Sequence, residues 1–138
     1  MKTIHVSIVT PSGSIFEADA DHVNTRTTAG EIGIYPEHIP LIAPLEITMV
    51  EVSTASGIER LAVNSGFLEV QPDSVTIISQ AAEKAESIDL ARAQAAKRRA
   101  EERLTQKDVD VERAELALQR ALNRIHCLLY TSDAADEL

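Results

Sequence analysis

The last third of the chain carries charged residues whose types and spacing suit the binding of a polyphosphate. Ile88-Asp89-Leu90-Ala91-Arg92-Ala93 puts Asp89 and Arg92 on adjoining positions of one helix face. Arg99, seven residues beyond Arg92, returns to nearly the same face, and Arg120 and Arg124 are i,i+4 neighbours. If these segments fold back antiparallel, the arginines converge, with Glu83 just before them. Each guanidinium can form forked, charge-assisted bonds to phosphate oxygens. The acids can accept from an adenine or ribose, or hold the arginines in place. A plainer pattern fits the same residues: a solvated helix face laced with ion pairs. Spacing alone does not choose between the two.

Catalytic chemistry finds no such support. The sequence has no Walker-type phosphate loop, nucleophile elbow, His-Glu-x-x-His zinc motif or Cys-x-x-Cys pair. The histidines, His5, His22, His38 and His126, are scattered and have no metal-ligand spacing. The expectation is a non-enzyme with no catalytic residue, no metal and no catalytic cofactor.

A second device lies in the first half. In Gly30-Glu31-Ile32-Gly33-Ile34-Tyr35-Pro36-Glu37-His38-Ile39-Pro40, two glycines and two prolines bracket alternating Ile residues. The glycines supply unusual backbone angles or let another chain approach closely. The prolines fix φ and remove an N–H, which suits edges and corners. Glu37 and His38 therefore sit on a stiff bend, presented outward. One acid and one histidine with no nucleophile beside them suit docking better than chemistry.

The elements that carry these residues differ in kind. The 138 residues fit one domain, or one with an appendage, and 44% are hydrophobic, but only two Phe, two Tyr and no Trp are present. Ile, Val, Leu and Ala must supply the core. From Thr3 to Thr10 the side chains alternate, with Ile4, Val6 and Ile8 on one face. Short strand-like runs recur at Ile15-Phe16, Val23 to Thr28, Ile47 to Val52, Leu61 to Val63, Phe67 to Val70 and Val75 to Ile78. Turn signals about ten residues apart suggest an antiparallel sandwich or barrel over residues 1–86.

The period then changes. From Ser87 to Arg124 there is no Pro or Gly, and good helix formers dominate. Ser87 is the expected cap of a first helix, with Asp89 in its first turn. Gln106-Lys107-Asp108 is the expected break, with Asp108 capping a second helix. Ala93, Ala96, Ala100 and Leu104 share one face, as do Val111, Ala114, Leu118, Ala121 and Ile125 at heptad spacing. Two such helices joined by a short turn make a hairpin. Its seam is mostly alanine. At about 0.8 kcal/mol per buried CH₂, such a seam allows close approach but holds weakly.

The formal charge of −9 argues against nucleic acid and against an anionic membrane surface. Residues 1–86 carry 4 basic and 12 acidic side chains, whereas residues 87–126 carry 9 and 7. No run approaches the ~20 apolar residues that span a bilayer. The start at Met1-Lys2-Thr3-Ile4-His5 lacks a signal-peptide core, so a cytoplasmic location is expected. After Ile125 the heptad breaks. Cys127 to Glu137 resembles the in-frame translation of a transposase adapter end used in sequencing libraries, so residues 127–138 are expected to be a non-native tail. A genuine disordered acidic terminus is the alternative.

Taken in order, four segments resemble the epsilon subunit of F-type ATP synthases of the bacillus type, over nearly all of residues 1–125. They are the GE-x-GI-x-P-x-H-x-P corner, Asn64-Ser65-Gly66-Phe67-Leu68-Glu69-Val70, the IDLARA motif from Ile88, and the run from Ala114 to Arg124. The resemblance implies a β-sandwich N-terminal domain (1–86) followed by an antiparallel α-helical hairpin (87–126). It implies a rotor subunit that couples the gamma subunit to the c-ring and restrains ATP hydrolysis when the hairpin extends towards the alpha and beta subunits. Residues matching Glu83, Asp89, Arg92, Arg99, Arg120 and Arg124 would bind ATP as a regulatory ligand that favours the folded hairpin. Glu31 would face the polar loops of the c-ring and His38 the gamma side. The location implied is the cytoplasmic face of the cell membrane, reached only through the complex. The competing expectation is a free-standing sandwich-and-hairpin adaptor without nucleotide binding.

Overall fold

The computed structural model describes residues 2–106 and 110–136, with side chains to Tyr130. The chain divides into two compact units, the first ending at Lys84 and the second beginning at Ala85.

The first unit is built from eight strands: β1 (Ile4–Thr10), β2 (Gly13–Ala20), β3 (His22–Thr27), β4 (Gly30–Ile34), β5 (Leu41–Thr54), β6 (Gly57–Gln71), β7 (Ser74–Ser79) and β8 (Ala82–Lys84). Their hydrogen-bonded order is β2-β1-β7-β6-β5-β3-β4, with β8 added to β6. β1 and β7 are parallel and the other pairs antiparallel. Alternation drives the packing. Ile4, Val6 and Ile8 on β1 meet Val23, Ile34, Val50, Val52, Leu61, Val63, Leu68, Val70, Val75 and Ile77 in one core. This is a β-sandwich whose interior is aliphatic, as the shortage of aromatic residues requires.

Two features depart from a series of short strands. β5 and β6 are 14 and 15 residues long and pair in one register from Leu41↔Val70 to Thr54↔Gly57. Asn64-Ser65-Gly66 does not separate two strands but kinks one. Ser65 has φ 58° and Gly66 φ 138°, angles in the left-handed half of backbone space that favour glycine. At this kink β6 changes partner: residues 66–71 pair with β7 and residues 61–63 with β8. Only glycine fits at position 66, because a Cβ there would lie 2.0 Å from the Ile78 carbonyl oxygen. The second departure is the corner. Its first half is strand β4, at one end of the strand order, and only Tyr35 to Pro40 forms the bend.

The second unit opens with a 3-10 turn at Ala85–Ser87, followed by α1 (Leu90–Leu104) and α2 (Val111–Asp136). The two helices pack on each other as a hairpin, and the 3-10 turn packs on α2. Ala93, Ala100, Ala114 and Ala121 are buried, while Ala96, Leu104, Leu118 and Ile125 are half-buried and Val111 is exposed. The seam is therefore alanine at its centre. The caps differ from those expected. Asp89, not Ser87, is the N-cap of α1, because its short carboxylate reaches the N–H of Arg92 at 3.1 Å. Asp110 plays the same part for α2, accepting from the N–H of Arg113 at 3.1 Å; Asp108 lies outside the described residues. α2 runs on past Ile125, and Cys127 is fully buried.

Candidate functional site

The corner is held from several sides. Thr27 Oγ1 accepts from the Ala29 N–H at 3.1 Å and donates to the Gly30 carbonyl at 3.1 Å, which fixes the β3–β4 turn. Glu31 is exposed on β4, directly opposite Arg26 in the ladder. Oppositely charged side chains so placed attract one another across the strands. A Cβ on Gly33 would stand 2.9 Å from Asn24 Oδ1, the end of a side chain on the neighbouring strand β3. Beyond β4, the Tyr35 ring stacks on His22 with centroids 5.1 Å apart, and His22 Nε2 lies 3.1 Å from Ser53 Oγ.

Glu37 adopts φ 69° and donates its N–H to the Pro72 carbonyl at 2.7 Å, while its side chain pairs with Lys2. His38 donates its backbone N–H to Tyr35 O, and its Nδ1 donates to Ile39 O at 2.7 Å. Pro36 and Pro40 fix φ at two positions of the bend. His38 is half-buried and orients on its own backbone, whereas Glu31 is open.

Exposed apolar residues are also present on and beyond the corner. Tyr35, Ile39 and Ile42 are 60%, 74% and 73% exposed. Phe67 and Ile78, directly paired on β6 and β7, are also exposed, and Pro44 is opposite Phe67 on β5. The apolar run Ile39 to Leu45 was the available signal: part of it faces outward rather than into the core.

Of the candidate nucleotide-binding residues, Glu83 belongs to the first unit, on β8, and is half-buried. Asp89, Arg92, Arg99, Arg120 and Arg124 belong to the second. Arg92 lies near the start of α1 and Arg124 at matching depth along α2, counted from the connection between the helices. Arg92 and Arg99 are exposed, while Arg120 and Arg124 are half-buried. Asp89 is committed to the Arg92 backbone, so its carboxylate already has a structural task. Arg120 also lines a shallow depression of roughly 230 Å³ with Asp110, Glu112, Arg113 and Leu116, which Arg92 and Arg99 do not share. Among the described residues no group of His, Cys, Asp and Glu is placed to hold a metal ion, and no helix is long and apolar enough to cross a membrane.

Comparison with known proteins follows the same division. Residues 3–85 match the family described as ATP synthase, Delta/Epsilon chain, beta-sandwich domain, and residues 86–128 its long alpha-helix domain. The chain belongs to the ATP synthase delta/epsilon family. The ATP synthase epsilon chain of Bacillus velezensis is 55% identical over 127 residues, covering 91% of this chain and 96% of that one. That of Priestia megaterium is 58% identical over 110 residues, covering 80% and 82%. A chain in the cryo-EM structure of the Euglena gracilis mitochondrial ATP synthase, OSCP/F1/c-ring, shares the fold at TM-score 0.78 and 21% identity, covering 96% of this chain and 82% of that one. These relatives are each named as the epsilon chain of the ATP synthase.

Proposed function

We propose that this chain couples and regulates the rotor of an F-type ATP synthase. The sandwich docks the gamma subunit and the c-ring, with Glu31 towards the c-ring loops and His38 towards gamma. The hairpin restrains ATP hydrolysis when it extends against the alpha and beta subunits, and ATP bound through Glu83, Asp89, Arg92, Arg99, Arg120 and Arg124 favours its folded form. The complex alone brings the chain to the cytoplasmic face of the membrane.

The alanine seam carries the regulatory part of this reading. A two-helix unit whose buried centre is Ala93, Ala100, Ala114 and Ala121, with Ile88 and Cys127 as its larger buried residues, gains only about 0.8 kcal/mol from each alanine methyl it buries. Its folded and extended forms are then close enough in free energy for a ligand of modest affinity to decide between them. The sandwich does not share this weakness, since its core is complete within its own strands.

Titrating the full chain with ATP while following hairpin helicity, and co-purifying it with gamma and the c-ring, tests both parts. Saturable binding that stabilises the hairpin, together with rotor co-purification, is expected. Rotor binding without ATP binding would remove the sensing role and keep the coupling role. ATP binding without rotor association would do the reverse.

A further inference from the structure

Arg60 is a buried arginine in the sandwich, 8% exposed, on β6 immediately before the segment 61–63 that pairs with β8. A guanidinium is almost never this buried without acidic or carbonyl partners. Directly opposite on β5 is Glu51, whose carboxylate lies 4.0 Å from Arg60 Nη2. The register places a second carboxylate on the same face. Side chains alternate along a strand, so Arg60 and Ala62 point the same way. Glu83 on β8 is the partner of Ala62. Glu83 is therefore the diagonal neighbour of Arg60 across one strand pair. Such diagonal positions lie about 7–8 Å apart, within reach of long side chains. Lys84, the next residue, faces the opposite side, where its ammonium lies 5.9 Å from the centre of the Phe16 ring.

We infer that Arg60 is a positioning residue that orients the Glu83 carboxylate, with Glu51 as the counter-anchor. This rests on the reading of Glu83 as part of the nucleotide site. One fork can serve two carboxylates, and its planar geometry fixes their direction where a point charge would not. β8 has only three residues and one partner strand, so its ladder constrains Glu83 weakly. A guanidinium rooted in the long strand β6 adds a side-chain constraint to that of the ladder. Arg60 itself touches no ligand in this arrangement.

ATP affinity of the full chain, measured for Arg60→Met, Arg60→Lys, Glu83→Gln and the Arg60→Met/Glu83→Gln double variant, tests the inference. Coupled pairs of this kind differ from additivity by roughly tenfold in affinity. Arg60→Met is expected to weaken ATP binding by about that factor, and the double variant to bind no more weakly than Glu83→Gln alone. Arg60→Lys should recover only part of the loss, since it restores charge without the fork. Equal affinity for Arg60→Met and wild type, or losses that multiply in the double variant, would overturn the role. If Arg60→Met fails to fold, Arg60→Lys combined with Glu83→Gln gives the same cycle. Wild-type affinity in Glu83→Gln alone is a different failure: it removes Glu83 from the nucleotide site, and this inference with it.

Discussion

The carboxylate of Asp89 accepts the backbone N–H of Arg92 at 3.1 Å, so two residues suited to a nucleotide are already joined as a helix cap and its first turn. This gives Asp89 a stabilising role that needs no ligand. Removing the cap by Asp89→Ala should cost the hairpin about 1 kcal/mol without ATP present. Asp89→Asn keeps a good cap and removes the charge. If the aspartate also serves the nucleotide, Asp89→Asn should leave helicity near wild type yet weaken ATP binding. Circular dichroism alongside an ATP titration separates the two roles. Wild-type ATP affinity in Asp89→Asn would leave only the cap.

Gly66 gives a sharper structural test. Both its φ of 138° and the 2.0 Å approach of a Cβ to Ile78 O oppose any side chain. Gly66→Ala should destabilise the sandwich by about 3 kcal/mol or more, since strained backbone and overpacking each cost roughly 1–3 kcal/mol. Gly13 has a similar φ of 116° but open space around its Cβ direction, so Gly13→Ala should cost only the strain. Urea unfolding of the two variants measures the difference. Similar losses would mean that β6 can shift away from β7 at the kink.

The sandwich should fold alone. Every member of its core cluster lies on β1 to β7, and β8 ends at Lys84. Residues 1–86 are expected to melt cooperatively and to bind the gamma subunit. A gradual melt, or loss of gamma binding, would show that the sandwich depends on the second unit.

The sequence revealed these elements unevenly, for physical reasons. Alternation at Ile4, Val6 and Ile8 and the Ala93, Ala100, Ala114 and Ala121 spacing mark burial directly, and both faces are buried in the fold. Strand ends were less legible. Asn64-Ser65-Gly66 has turn composition, yet pairing with β5 on both sides holds it inside β6, which local sequence does not record. The caps were misplaced because Ser87 and Asp89 both suit an N-cap; the 3-10 turn at Ala85–Ser87 occupies the first of them. At the candidate site, charge pattern singles out Glu83 and the arginines as candidates. It missed Arg60, whose relation to Glu83 exists only through the β6–β8 register.

Glu31 and His38 should affect assembly more than stability. Glu31 is exposed on an outer strand, and the His38 ring bonds to the adjacent Ile39 carbonyl. Glu31→Ala and His38→Ala are each expected to shift the melting temperature little, with surface changes typically within about 0.5 kcal/mol. Each should weaken recovery of the chain with the rotor. A large loss of stability in either variant would make that residue part of the corner's framework instead.

Arg92 and Arg124 offer the most exposed test of nucleotide sensing. They lie at matching depths on helices whose buried centre is alanine, the feature on which the proposed opening of the hairpin rests. A charge-assisted hydrogen bond contributes roughly 1.5–3 kcal/mol, so loss of one arginine should reduce ATP affinity by about tenfold to a hundredfold. A ligand shifts an equilibrium only by its differential affinity for the two forms. At cellular ATP, Arg92→Ala or Arg124→Ala should therefore populate the extended hairpin and deepen inhibition of ATP hydrolysis in the assembled enzyme. Truncation after Ser87 should do the opposite, because nothing remains to extend. Hydrolysis rates of reconstituted complexes, compared across ATP concentrations, distinguish these directions. Normal ATP binding by Arg92→Ala would reduce that arginine to a solvated charge, while rotor docking, which rests on the sandwich and its corner, would stand.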